Sequence, residues 1–344
     1  MFSCSPIPHQ LACALNSAGA GSTANHVVNA HSWQYFQKAA GESGMFAMWN
    51  AMPLSDAEET FSAVLTKTSC ADATDHVACL EQKTTADLSA AANLGLFRTH
   101  PFCGSIMWGP VIDGIDVIGH PWELARRGHH FKGPLLLGTA RDEGVSFCGT
   151  PGNMTKAGFE QWAVGALKPV PLSTVVEMYS GHPNTTGVQP WTYQKVEHSE
   201  WYWASAKLVG DTGFHCGSRF GAQWLSRSQP VFLYSYTPAA TLKPYEDSIG
   251  HCSENGFINL ARPSTGDVTE LEAAMGQYWY SFAKHGNPNT ARLKGTPSWP
   301  AYNNETDLNI AFDVPIRTET GLRKEFCDIC AKTTTCQSHT RACV

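Results

Sequence analysis

The chain is predicted to adopt an α/β fold built around a parallel sheet, and three observations support this. Residues 133–139 (GPLLLGT) and 231–236 (VFLYSY) are short runs rich in apolar, β-branched and aromatic side chains, which suits strands buried on both faces. Between Asp267 and His285, the residues Leu271, Met275, Tyr278, Trp279 and Phe282 recur at helical spacing, with Gly286 at the expected stop. Polar groups able to do chemistry follow each apolar run: Arg141-Asp142-Glu143-Gly144 after the first, Ser248 to Glu254 after the second. In an open α/β sheet, the loops beyond the carboxyl ends of the strands carry the functional groups.

Along the chain, Ser17 to Gly21 is a cluster of small residues that suits a turn running into a helix. Residues 33–40 (WQYFQKAA) and 56–66 (DAEETFSAVLT) are expected to form amphipathic helices, the second capped near Ser55 and Asp56. Strands alternating with helices define the α/β class. The length, 344 residues, suits one large domain or two small ones. A net charge of −6 argues against nucleic acid or an anionic membrane surface as the main partner. No apolar run approaches the roughly 18 residues that a membrane helix needs.

Twelve cysteines are many for a cytosolic chain, and no spacing completes a zinc site around Cys327-Asp-Ile-Cys330, so no metal is expected. Disulfides are the better reading. The glycosylation sequons at Asn153, Asn184 and Asn304 agree with a secreted or extracellular protein. Residues 1–15 do not resemble a signal peptide, having neither a basic start nor a proper apolar core.

Three places could carry catalysis. Ser17 in Leu15-Asn16-Ser17-Ala18-Gly19 partly meets the needs of a nucleophile elbow, a sharp strand-to-helix turn flanked by tiny residues. Gly19 satisfies the requirement and Leu15 does not. Glu143 can orient an imidazole, and His251 on a loop after a strand can serve as a general base. Ser, then Glu, then His is the chain order of an α/β-hydrolase triad.

Beyond this order, the chain resembles the carboxylesterase type B family, which includes the cholinesterases and the non-catalytic neuroligins. The resemblance runs from about Asn16 to Cys330. NSAGAGS at 16–22 is similar to the nucleophile segment, FQKAAGESG at 36–44 to the stretch that follows it, and WGPVIDG at 108–114 with WELARRG at 122–128 to a signature and its helix. GTARDEG at 138–144 resembles the segment with the triad acid; GDTGFHC at 210–216, YWYSFAKHGNPN at 278–289 and WPAY at 299–302 complete the set.

The resemblance implies an α/β-hydrolase fold and hydrolysis of a small-molecule carboxylic ester without a cofactor. Ser17 would be the nucleophile, Glu143 the acid, His251 the base and Ala18 an oxyanion-hole donor. It also implies a disulfide between Cys70 and Cys79 and another between Cys216 and Cys327, with Cys330 as the competing partner. Cys148 and Cys252 are a further conceivable pair across neighbouring loops.

Two departures shape the expectation. The family's upstream strands and oxyanion-hole glycines have no counterpart here, so the fold is expected to be incomplete and N-terminally truncated, and esterase activity impaired. Residues 1–15 are expected to lie outside the family domain, residues 16–330 to form its C-terminal portion and residues 331–344 a cysteine-containing tail. Leu15 is expected to crowd the elbow and misaim Ser17. The alternative reading is a catalytically silent, neuroligin-like interaction module.

Overall fold

The computed structural model describes residues 12–92, 108–180, 198–238, 248–259 and 268–333. Six strands form the main sheet: β1 (Ala12–Asn16), β2 (Lys38–Glu42), β5 (Leu135–Ala140), β6 (Val231–Tyr236), β7 (Leu308–Phe312) and β8 (Arg317–Thr320). They lie side by side in that order, parallel throughout except for the antiparallel β7–β8 pair. A separate two-stranded ladder pairs β3 (Met52–Pro53) with β4 (Val111–Ile112).

The helices in chain order are α1 (Ala18–Val28), α2 (Leu54–Lys67), α3 (His76–Glu81), α4 (Thr85–Ala92), α5 (Pro121–Arg126) and α6 (Lys156–Trp162). Then come α7 (Leu172–Tyr179), α8 (Glu200–Gly210), α9 (Cys216–Leu225), α10 (Asn255–Ile258), α11 (Val268–His285) and α12 (Lys324–Cys330).

Why β5 and β6 are buried at every position is visible in their surroundings. Side chains alternate between the two faces of a strand. Leu135, Leu137, Val231 and Leu233 pack with Ala20, Ala24 and Val27 of α1 and Ala222 and Leu225 of α9. Leu136, Phe232, Tyr234 and Tyr236 face the other way, onto Met275, Tyr278 and Phe282 of α11 and onto Trp299. With both faces covered, no position of either strand is left for a solvated side chain. A third core joins α6, α7, α8 and α12 around Phe159, Leu208 and the Cys216–Cys327 disulfide.

Several expectations hold as read: α2 and α11 form at their periodic segments, and Gly286 takes the left-handed φ of 70° that ends α11. Others are corrected. Residues 33–40, expected as an amphipathic helix, split instead into the end of a 3₁₀ turn (Ala30–Tyr35) and the start of β2, where backbone pairing with β1 and β5 extends the chain and Ala39 and Ala40 pack into opposite cores. Helix α2 starts at Leu54 after Pro53, which puts Asp56 in its first turn rather than at its cap.

Residues 12–15, set apart from the family domain on sequence grounds, are part of the sheet. Their register, Ala12 to Lys38 through Leu15 to Gly41, makes them its edge strand. Backbone pairing with β2 is what places them there.

Candidate active site

The turn between β1 and α1 places Ser17 at φ 57° and ψ −123°, a left-handed backbone that non-glycine residues adopt only under constraint. The constraint is identifiable. The Ser17 N–H donates to the Glu42 carbonyl at the end of β2 (2.9 Å), and the Ser17 carbonyl accepts from Gly21 N–H inside α1 (3.1 Å). Ser17 occupies the N-cap of α1, yet its hydroxyl makes no capping bond. Its Oγ instead lies 2.6 Å from His251 Nε2.

Leu15 was expected to spoil this turn. The structure accommodates it because Gly19 has no side chain: a Cβ there would lie 2.8 Å from Leu15 Cβ. A second close pass is made from the far side by Gly44, where a Cβ would lie 2.8 Å from the Ser17 carbonyl oxygen.

Glu143 follows β5 at the start of a short 3₁₀ turn, Glu143–Ser146, and is fully buried. One carboxylate oxygen accepts the Ala140 N–H (2.8 Å) and the other lies 2.5 Å from His251 Nδ1. The adjacent Gly144 lets this turn press on α8, since a Cβ there would sit 1.9 Å from the Ala206 carbonyl. A carboxylate only accepts, so in the neutral form of His251 the proton sits on Nδ1 and Nε2 is left to accept from Ser17 Oγ–H. Burial works against charge on His251, but hydrogen bonding to Cys252 and the hydrogen bond and charge of Glu143 outweigh it. Its pKa is raised above the ordinary 6.5.

The residues expected to cooperate, Ser17, Glu143 and His251, therefore meet from three segments in one hydrogen-bonded line. Ala18 is the first residue of α1, where a backbone N–H has no partner within its own helix.

Several neighbours were not legible in the sequence. Phe147 meets the His251 ring edge-on at a centroid distance of 5.0 Å, and Phe214 packs against it at 5.0 Å. Phe214 is presented by a π-helical turn, Asp211–His215, between α8 and α9. Trp49 braces that turn by donating from Nε1 to the Gly213 carbonyl at 2.8 Å.

Behind Ser17 lie two more buried carboxyls. Burial drives the Glu42 pKa up to about 7, against hydrogen bonds from Trp279 and Asn16. Burial also drives that of Glu254 up to about 8, and the charges of Glu143 and Glu42 add to the effect. Glu254 Oε1 accepts from Tyr234 OH (3.0 Å) and Ser43 Oγ (3.2 Å).

Both expected disulfides are present, Cys70–Cys79 and Cys216–Cys327, and Cys330 is disulfide-bonded as well. The conceivable Cys148–Cys252 pair is not formed; both are free thiols, Cys148 buried behind the acid turn and Cys252 hydrogen-bonded to Asn16. Asn153 and Asn304 are exposed, while Asn184 lies outside the described residues. Among the described residues, no His, Cys, Asp and Glu cluster could hold a metal ion.

A strand–serine–helix elbow, a following acid turn and a histidine loop on one parallel sheet frame the comparison with known proteins. The carboxylesterase family pattern matches residues 8–330. The chain belongs to the carboxylesterase family. Its fold is accordingly that family's α/β-hydrolase fold, seen here as a mixed sheet with helices on both faces.

Among its relatives, an acylcarnitine hydrolase of Rattus norvegicus is 26% identical over 316 residues, covering 84% of this chain and 51% of the relative. An acetylcholinesterase of Bungarus fasciatus is 25% identical over 339 residues, 90% of this chain and 53% of the relative. A carboxylesterase 4A of Bos taurus is 36% identical over a shorter stretch of 103 residues, 28% of this chain and 18% of the relative. The chain thus spans about half the length of the first two. The family match also begins before Asn16, in agreement with the sheet position of β1.

Proposed function

We propose that the chain is a serine carboxylic ester hydrolase in which Ser17, His251 and Glu143 act as nucleophile, base and acid. The observation that carries this is the unbroken line from Glu143 Oε2 to His251 Nδ1 (2.5 Å) and from His251 Nε2 to Ser17 Oγ (2.6 Å). His251 takes the Ser17 proton as Oγ attacks the ester carbonyl, and Glu143 stabilises the resulting imidazolium. The N–H of Ala18 at the start of α1 donates to the developing oxyanion, aided by the positive end of the helix. The alcohol leaves with the proton from His251, and water then attacks the acyl-enzyme by the same route.

Phe147 and Phe214 line the approach to His251 with aromatic surface, which suits an apolar acyl group. The substrate class is a small carboxylic ester, in keeping with the names of the acylcarnitine hydrolase and acetylcholinesterase relatives. The disulfide-bonded Cys70, Cys79, Cys216, Cys327 and Cys330 and the exposed sequon residues Asn153 and Asn304 support an oxidising, secretory compartment.

The test is hydrolysis of p-nitrophenyl acetate by the intact chain with Ser17→Ala as control. With Ala18 N–H as the named oxyanion donor, the expected result is slow turnover, above that control and abolished by an organophosphate that labels Ser17. Turnover equal to the control, with no Ser17 labelling, overturns the reading.

A further inference from the structure

The residue before Glu143 and the residue before Ser17 each grip the segment that carries His251. Asp142 accepts the Ile249 N–H at 2.7 Å, and its own N–H donates to the Ile249 carbonyl at 2.8 Å. Asn16 accepts from the Cys252 thiol at 2.7 Å and donates through Nδ2 to Asn255 Oδ1 at 3.2 Å. The first grip ties the histidine segment to the acid turn, and the second ties it to the nucleophile strand.

We propose that Asn16 is a positioning residue for ester hydrolysis: through the Cys252 thiol and Asn255 it holds His251 Nε2 in line with Ser17 Oγ. The proposal rests on the esterase reading above.

Three features support it. Ser17 and His251 are 234 residues apart in sequence, so only tertiary contacts set their separation. Cys252 sits at φ 67°, a backbone that is kept only when its surroundings hold it, and the Asn16 bond is such a hold one residue from the base. Asn16 is itself anchored, by its backbone register with Glu42 and by a side-chain hydrogen bond to the Glu42 carboxyl. An amide is suited to this place because it both accepts and donates. A carboxylate would accept from Cys252 but could not donate to Asn255, and an apolar side chain would do neither.

The experiment is a double-mutant cycle on the intact chain with Asn16→Ala, Cys252→Ala and their combination, plus Cys252→Ser, whose hydroxyl still donates. Loss of alignment predicts that each alanine variant loses about 10- to 100-fold in kcat with KM within about twofold of the parent. The combination is expected to be no worse than the more damaging single variant, because both remove the Asn16–Cys252 bond through which the alignment is held. Cys252→Ser should stay within about threefold of the parent.

Losses that multiply, or alanine variants with parental kcat, overturn the proposal. If Asn16→Ala fails to fold, the Cys252 pair still decides, since serine keeps a hydroxyl that can donate to Asn16 and alanine does not. Parental turnover no greater than that of Ser17→Ala would be a failure of the esterase reading instead. In that case the His251 Nδ1–H proton resonance replaces turnover: a shift in Cys252→Ala but not in Cys252→Ser supports the strut, and no shift in either refutes it.

Discussion

Ser17 holds a left-handed backbone that costs on the order of 1–3 kcal/mol for a residue with a side chain, and the cost is met by its neighbours rather than by itself. Gly19 is one of those neighbours. A methyl group there would meet Leu15 Cβ, an atom fixed by the backbone of β1 that cannot swing aside. Gly19→Ala is therefore expected to lower stability by about 1–3 kcal/mol and to weaken Ser17 labelling by organophosphate. Adding Leu15→Gly removes the obstructing atom, so the double variant should label faster than Gly19→Ala alone; equal labelling rates would show that the contact is not what positions the turn. His251 gives a second test. Glu143 and Cys252 raise its pKa, and only neutral imidazole can accept the Ser17 proton, so kcat/KM should climb with pH through a range above the usual 6.5. Glu143→Gln removes a charge that raises this pKa, and titration of the His251 ring by NMR should show it lowered.

At the scale of elements, β2 shows what the sequence could and could not disclose. β5, β6 and α11 announce themselves by apolar pattern, since each faces a core over its whole length. β2 reads KAAGE, small and charged, and is a strand only because β1 and β5 flank it. Its last residue, Glu42, is a buried carboxyl that no local pattern reveals, because its partners Trp279 and Asn16 come from α11 and β1. The proposed triad of Ser17, Glu143 and His251 was legible because its three residues sit in recognisable segments. Phe147, Phe214, Asn16 and Glu254 were not, because their importance arises only when distant loops meet around His251.

Glu42 also makes β2 sensitive to pH. Its pKa is raised from 4.5 in a free chain to about 7 in the fold, so folding favours the protonated form. The stability this contributes is full below about pH 4.5 and is lost as pH rises through about 7. Glu42→Gln keeps an acceptor for Trp279 without the charge. The variant should match the parent near pH 4 and exceed it at pH 8 by about 1–3 kcal/mol in urea unfolding. A constant difference across that range would mean that Glu42 does not change protonation on folding.

For the whole molecule, the structure must keep three packed cores in register so that segments from Ser17 to His251 converge. The third core is drawn mainly from residues 148–220 and is closed by Phe326, Cys327 and Cys330 of α12. Cys327 in α12 is bonded to Cys216 at the start of α9, closing a separation of 111 residues, whereas Cys70–Cys79 closes only 9. Arg323, beside α12, pairs with the buried Asp211 of the π-helical turn that presents Phe214 to His251. Tyr179 OH donates to the same carboxylate at 3.0 Å. The long disulfide therefore anchors the helix next to the ion pair that holds the π-helical turn.

Loop-closure entropy grows with the logarithm of loop length, and the two separations imply about 5 kcal/mol for the long bond against about 2.6 kcal/mol for the short one. Replacing Cys216 and Cys327 together by alanine should lower the unfolding midpoint markedly more than replacing Cys70 and Cys79. It should also loosen the site before the molecule unfolds: amide exchange should rise first in α12 and in 211–215, and esterase turnover should fall at temperatures where the sheet core is still protected. Removing Cys70–Cys79 should leave exchange in 211–215 unchanged, because that bond joins the ends of a surface turn between α2 and α3. If both double variants unfold at the same midpoint, or if exchange in α12 and 211–215 rises only together with β5 and β6, then the third core is not a separate support for the site.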